Sequence, residues 1–248
     1  MSKLLDRLNQ TSKGNKPIGF RTAAAKPDNQ RLLLIAALSS SDSAAMATAK
    51  EYADAVIYSD TTKVEKAAAA IGDTPWGVSL GEADGAQLGK LKDKGCDFIV
   101  FDAEKAPLAV LRDEGVGRVV ELSPELPDGL IRTVTQLPID MALIGGDDAI
   151  SIHRLMVCQH MSNLTSKPLM ARVPGDISAE DLRELWEAGL FAVVLPISGD
   201  AKKELSTLKQ AIDKLPASRR MRGGKTEVSL PYARVEEPSA EEEIEEGE

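Results

Sequence analysis

The sequence predicts an α/β protein built as a (β/α)8 barrel, with eight parallel strands inside and helices outside. Three observations predict it. Short apolar runs recur about every 20 residues through the middle of the chain. Each run has the length of a buried parallel strand. Helix signals lie between the runs, and this alternation implies right-handed βαβ crossovers and a parallel sheet. The count of eight favours closure. The rival is a doubly wound open sheet, which has fewer strands and binds ligands where strand order reverses.

The runs, in order, are Leu32 to Leu38, Ala55 to Tyr58, Gly77 to Leu80, Asp97 to Phe101, Arg118 to Leu122, Met141 to Ile144, Leu169 to Val173 and Ala192 to Leu195. The first expected helix is the Ala-rich Ser43 to Tyr52. Thr62 and Glu65 form a capping-box pair before Lys66 to Ile71. Leu88 to Lys94 and Leu108 to Glu114 end at Gly95 and Gly115, and a glycine is a common helix stop. An outer helix is expected after the sixth run. Ser178 and Asp181 cap Leu182 to Ala188, and Lys202 to Leu215 sets Leu205, Leu208, Ile212 and Leu215 on one stripe.

This divides the chain into an N-terminal extension (1–30), the barrel (31–216), a basic segment (217–234) and an acidic tail (235–248). The extension holds an amphipathic turn of Leu4, Leu5 and Leu8, suited to plug the bottom of the barrel. The net charge is −9, but eight Glu lie in the last fourteen residues; ahead of them, 30 basic residues face 31 of the 39 acids. The tail is expected to be disordered, since it has too little apolar surface to offset its ordering entropy. It reads as a solubilising segment or as a docking element for a basic protein partner.

No basic stripe suited to nucleic acid is present. No apolar run is long enough to span a bilayer, and the first sixteen residues are not a signal peptide. With only Cys96 and Cys158 present, no disulfide framework is expected, so a cytoplasmic location is the default. Both cysteines read as core residues rather than nucleophiles.

In this fold, chemistry sits at the C-terminal ends of the strands. The residues there are rich in carboxylates. Asp102, Glu121 and Asp147 or Asp148 follow the fourth, fifth and sixth runs. Neighbouring strands lie about 4.8 Å apart, so such carboxylates can converge on one hard cation, Mg²⁺ or Mn²⁺. Helix capping by these acids is the competing explanation. Glu121 is the sharpest candidate, because the alternation that turns Val119 inward turns Glu121 inward too. Arg172, at the end of the seventh run, suits either an anionic ligand or a salt bridge to a rim carboxylate. His153 and His160 fall on the sixth helix and read as surface or packing residues.

The stretch Pro168-Leu-Met-Ala-Arg-Val173, followed by Ser178 to Gly189 and Phe191 to Leu195, resembles the seventh and eighth units of the (β/α)8 barrel superfamily. Val119-Val-Glu-Leu122 and Asp140-Met-Ala-Leu-Ile-Gly-Gly-Asp-Asp148 resemble the metal-binding units of the metal-dependent pyruvate aldolases. That resemblance implies that Glu121 and Asp148 hold a divalent ion. Gly95 to Pro107 is similar to the same family's strand ending in Asp-x-Glu-His, with Lys105 at the His position.

Two functions are therefore expected. One is a metal-dependent lyase or enolising enzyme acting on a small oxyacid, with Asp102, Glu121 and Asp148 on Mg²⁺ or Mn²⁺ and with Lys105 and Arg172 supplying positive charge. The other is a barrel without catalysis, serving as a binding or scaffold protein, in which the same acids are engaged in helix caps or Lys/Arg pairs.

Overall fold

The computed structural model describes residues 2–12, 32–39, 43–59, 71–80, 85–112, 115–146, 149–197 and 199–216. The Thr62–Glu65 cap, Asp147, Asp148, the basic segment beyond Ala217 and the acidic tail lie outside them.

Eight strands form a closed parallel barrel in chain order. They are β1 (Leu33–Leu38), β2 (Ala55–Tyr58), β3 (Trp76–Leu80), β4 (Phe98–Asp102), β5 (Gly117–Leu122), β6 (Met141–Ile144), β7 (Leu169–Arg172) and β8 (Leu190–Pro196). β8 closes the ring on β1, with Val194 opposite Ile35. The expected fold class therefore holds, and the open sheet is excluded.

Side chains alternate along each strand and split the core in two. Ile35, Ile57, Val100, Val119, Leu143 and Val194 belong to the cluster inside the barrel. Their outward neighbours, such as Leu34, Val56, Val120 and Val193, pack under the helices. Such side chains contribute roughly 1.5–3 kcal/mol each when fully buried.

The bottom of the barrel is built around Phe98, which is fully buried. It sits in register between Gly77 on β3 and Gly117 on β5. A Cβ at Gly77 would lie 2.5 Å from the Phe98 ring, so the missing side chain makes room for the aromatic. Leu4 and Leu8, on the helix Lys3–Ser12, enter the same interior cluster. The Asp97 carboxylate holds that helix in place. It accepts hydrogen bonds from the Lys3 and Leu4 backbone N–H groups, at 2.6 and 2.9 Å, and from the Ser2 hydroxyl at 2.7 Å. Asp97, expected to open the fourth strand, precedes it.

The outer layer departs from the expectation at one point. Leu108 to Glu114 was expected to be a helix; residues 113 and 114 lie outside the described residues, and the described part forms a 3₁₀ turn, Leu108–Leu111. This short turn buries Val110 and leaves Leu108 exposed. It also leaves the Leu111 carbonyl free to accept a hydrogen bond from the Arg118 guanidinium at 2.9 Å, which ties the segment to β5. The neighbouring helix, Asp128–Thr133, is short as well. Longer helices follow at Ile152–Leu164, Ala179–Glu187 and Ala201–Asp213. No helix among the described residues is long and apolar enough to cross a membrane.

Candidate functional site

The inward parity of the strands carries three charged residues to the barrel mouth. Asp102 ends β4 in the same inward series as Phe98 and Val100, Glu121 follows Val119 on β5, and Arg172 follows Met170 on β7. Asp102 and Glu121 are direct cross-strand partners. The structure thus brings together Asp102, Glu121 and Arg172. Asp148 lies outside the described residues.

Glu121 and Arg172 form a two-pronged ion pair. Arg172 Nη1 donates to Glu121 Oε1 at 2.7 Å, and Nη2 donates to Oε2 at 3.0 Å. Parallel bonds of this kind are among the stronger side-chain interactions in proteins. The two residues sit on β5 and β7, so the pair spans β6. Gly145, just past the end of β6, lies beside Glu121: a Cβ there would lie 3.4 Å from Glu121 Oε1 and 3.1 Å from the Leu122 carbonyl.

Asp102 has its own partners. Its carboxylate accepts the Glu104 backbone N–H at 2.8 Å and lies 3.2 Å from Lys105 Nζ. The Glu104 N–H, aided by Lys105, holds the Asp102 carboxyl below its ordinary value, against a smaller opposing effect of burial. Lys105 is an exposed rim residue committed to Asp102. Both described members of the expected metal set therefore arrive with cationic partners of their own. Among the described residues, no group of three or more His, Cys, Asp or Glu could hold a metal ion. Asp148, the third member of that set, lies outside the described residues.

A cavity of about 650 Å³ opens beside this pair, over the ends of β4, β5 and β6. Glu121 and Asp102 line one side. Ser151, His153 and Arg154, at the start of the helix Ile152–Leu164, line the other. Arg154 is a residue that sequence reasoning passed over. It is 5% exposed, and its guanidinium donates to the Gly145 carbonyl at 2.6 Å and the Ile144 carbonyl at 3.2 Å. Its signal was present: an arginine in the first turn of a helix opposes the helix dipole and so needs a local reason.

The remaining candidates fall away from the mouth. His160 is exposed and pairs with Asp128 at 2.9 Å. Cys96 and Cys158 are buried and free, and burial pushes their thiols up to about 12 and about 11. Neither supplies a thiolate near neutral pH. A second cavity, near the ends of β7 and β8, is lined by Asp176, Asp200 and Glu204. Asp200 already caps the following helix by accepting the Lys202 and Lys203 N–H groups, so no anion is invited where barrels often bind phosphate.

Fold and mouth together define a (β/α)8-barrel protein. No protein-family model matches the chain, and no curated protein matches it in sequence. Solved structures do match in shape. A mutant tryptophan synthase alpha-subunit from Pyrococcus furiosus superposes with a TM-score of 0.54 at 16% identity, covering 74% of this chain and 97% of that one. Orotidine 5'-phosphate decarboxylase from Pyrococcus horikoshii gives 0.58 at 11% identity, covering 73% and 99%. At such identities the likeness shows the barrel fold alone. It lends no support to the aldolase resemblance.

Proposed function

We propose that the chain acts on a small oxyacid at the barrel mouth, by chemistry of the lyase or enolising class. The observation that supports this is the Glu121–Arg172 pair, set at the C-terminal ends of the strands beside an open cavity. A guanidinium that grips one carboxylate in two-pronged fashion offers the same geometry to a ligand carboxylate. When Arg172 turns to the ligand, Glu121 is released as a base. It takes the proton from the carbon next to the ligand's carbonyl, the C–H electron pair forms the new C=C bond, and the carbonyl π pair moves to the oxygen to give an enolate. Mg²⁺ or Mn²⁺, expected from the sequence, would need Glu121 to leave Arg172 first. A cytoplasmic, reducing setting accords with two free cysteines.

One observation favours a second reading, a binding or scaffold barrel without catalysis. Asp102 and Glu121 each already have a basic partner, Lys105 and Arg172. In that reading the acidic tail is the contact element for a basic protein partner.

The test is proton exchange of pyruvate and oxaloacetate in D2O, followed by NMR, with and without Mg²⁺ or Mn²⁺. Thermal unfolding with the same ligands runs alongside. Exchange that is lost in Glu121→Gln supports the enzyme. A ligand-dependent rise in melting temperature without exchange, lost in Arg172→Gln, supports a binding barrel. Neither exchange nor a shift would overturn the oxyacid reading.

A further inference from the structure

Three charged residues are buried among those described: Asp54, Arg154 and Glu187. Two of them have ion-pair partners. Asp54 lies 3.5 Å from Lys209 Nζ, and Glu187 lies 3.0 Å from Arg183 Nε. Arg154 has no carboxylate within ion-pair distance among the described residues. Its guanidinium rests on two neutral carbonyls, and its Nε is buried with no hydrogen-bond partner. A guanidinium carries five N–H donors, so most of its capacity is unspent. An uncompensated buried charge is costly, and buried charges are as a rule paired.

This residue lines the 650 Å³ cavity. It also stands in the first turn of a thirteen-residue helix. The N-cap, Ser151, is neutral and accepts the Arg154 backbone N–H at 3.1 Å. The first N–H groups of a helix have no intrahelical acceptor and carry partial positive charge. The carboxylates on the opposite wall do not cancel this field. Asp102 and Glu121 are matched by Lys105 and Arg172, while Glu104 and Glu125 are exposed at the rim, where water screens them.

We infer that the Arg154 side of this cavity is an oxyanion subsite, which takes a carboxylate or phosphate group of a small ligand. The anion supplies the counter-charge that no described residue provides within ion-pair distance of Arg154. The site goes beyond the Glu121–Arg172 grip and stands without it. If both hold, the substrate is a dianion, with one group on Arg172 and the other at Arg154.

Thermal unfolding and calorimetric titration of the full chain test this, with inorganic phosphate and malonate as probes and chloride at matched ionic strength as control. The subsite predicts a saturable rise of roughly 5–10 °C at a hundredfold excess over Kd. The larger of the two responses identifies the preferred group. Ser151→Asp keeps the helix cap, since Asp caps as well as Ser, but places a fixed carboxylate at the site. It should lose the response while remaining folded. Arg154→Gln should lose it too, with circular dichroism reporting its fold. Arg172→Gln should keep the phosphate response, which separates this site from the oxyacid grip. No shift with either anion, or equal shifts in wild type and Ser151→Asp, would overturn the inference.

Discussion

Arg172 reaches from β7 across β6 to hold both carboxylate oxygens of Glu121 on β5. The barrel mouth is thereby cross-braced by this ion pair, whose two side chains are 27% and 28% exposed.

A double-mutant cycle on Glu121→Gln and Arg172→Met should give a coupling energy of about 1–2 kcal/mol, measured by urea unfolding. Partial exposure keeps it below the value for a fully buried pair. A coupling near zero would mean that the pair adds nothing to the fold.

Gly145→Val should behave like a loss of that pair. The new side chain would crowd the Leu122 carbonyl and Glu121 and push the carboxylate away from Arg172. A loss of about 1–3 kcal/mol is expected from overpacking. Adding Glu121→Gln to this variant should cost little more, which a two-variant comparison reads directly.

At the other end of the barrel, Gly77→Ala should destabilise the protein by about 3 kcal/mol or more, because its Cβ would overlap both the Phe98 ring and the Phe98 carbonyl. Pairing it with Phe98→Leu should recover part of the loss. If the single substitution proved neutral in thermal melts, the close packing at this layer would be wrong.

Asp102 sets a pH dependence. Its folded-state value is lowered, chiefly by the Glu104 N–H. A depressed carboxylate stabilises the fold above the ordinary aspartate value of about 3.9. That contribution is lost as pH falls below it, through the folded-state value. The stability gap between wild type and Asp102→Asn should stay constant from neutral pH to about pH 5. It should close as the solution is acidified further. A gap that closed near pH 6 instead would implicate another group.

Both thiols should resist alkylation near neutral pH, because burial raises Cys96 to about 12 and Cys158 to about 11. Labelling with a maleimide should become fast only in denaturant. Rapid labelling of the folded protein would show that one of the two sites opens.

The sequence by itself determined the number of strands and favoured the barrel, while the pairing of β8 with β1 decided closure in chain order. Strand-length apolar runs and the helix signals between them are local properties, dictated by backbone hydrogen bonding and the need to bury one face. Val119 placed Glu121 on the inward face for the same reason, because side chains alternate along a strand. The partners of Glu121 were another matter. Sequence left Arg172 open between a ligand and a rim carboxylate, and only the register of β5, β6 and β7 joined it to Glu121. The 3₁₀ turn at Leu108–Leu111 was equally illegible, since Leu108 to Glu114 looks helical in isolation and the bond from Arg118 on β5 to the Leu111 carbonyl is a tertiary contact. Arg154 offered a sequence signal in its place against the helix dipole, but its burial, and its lack of a carboxylate partner among the described residues, are properties of the tertiary structure.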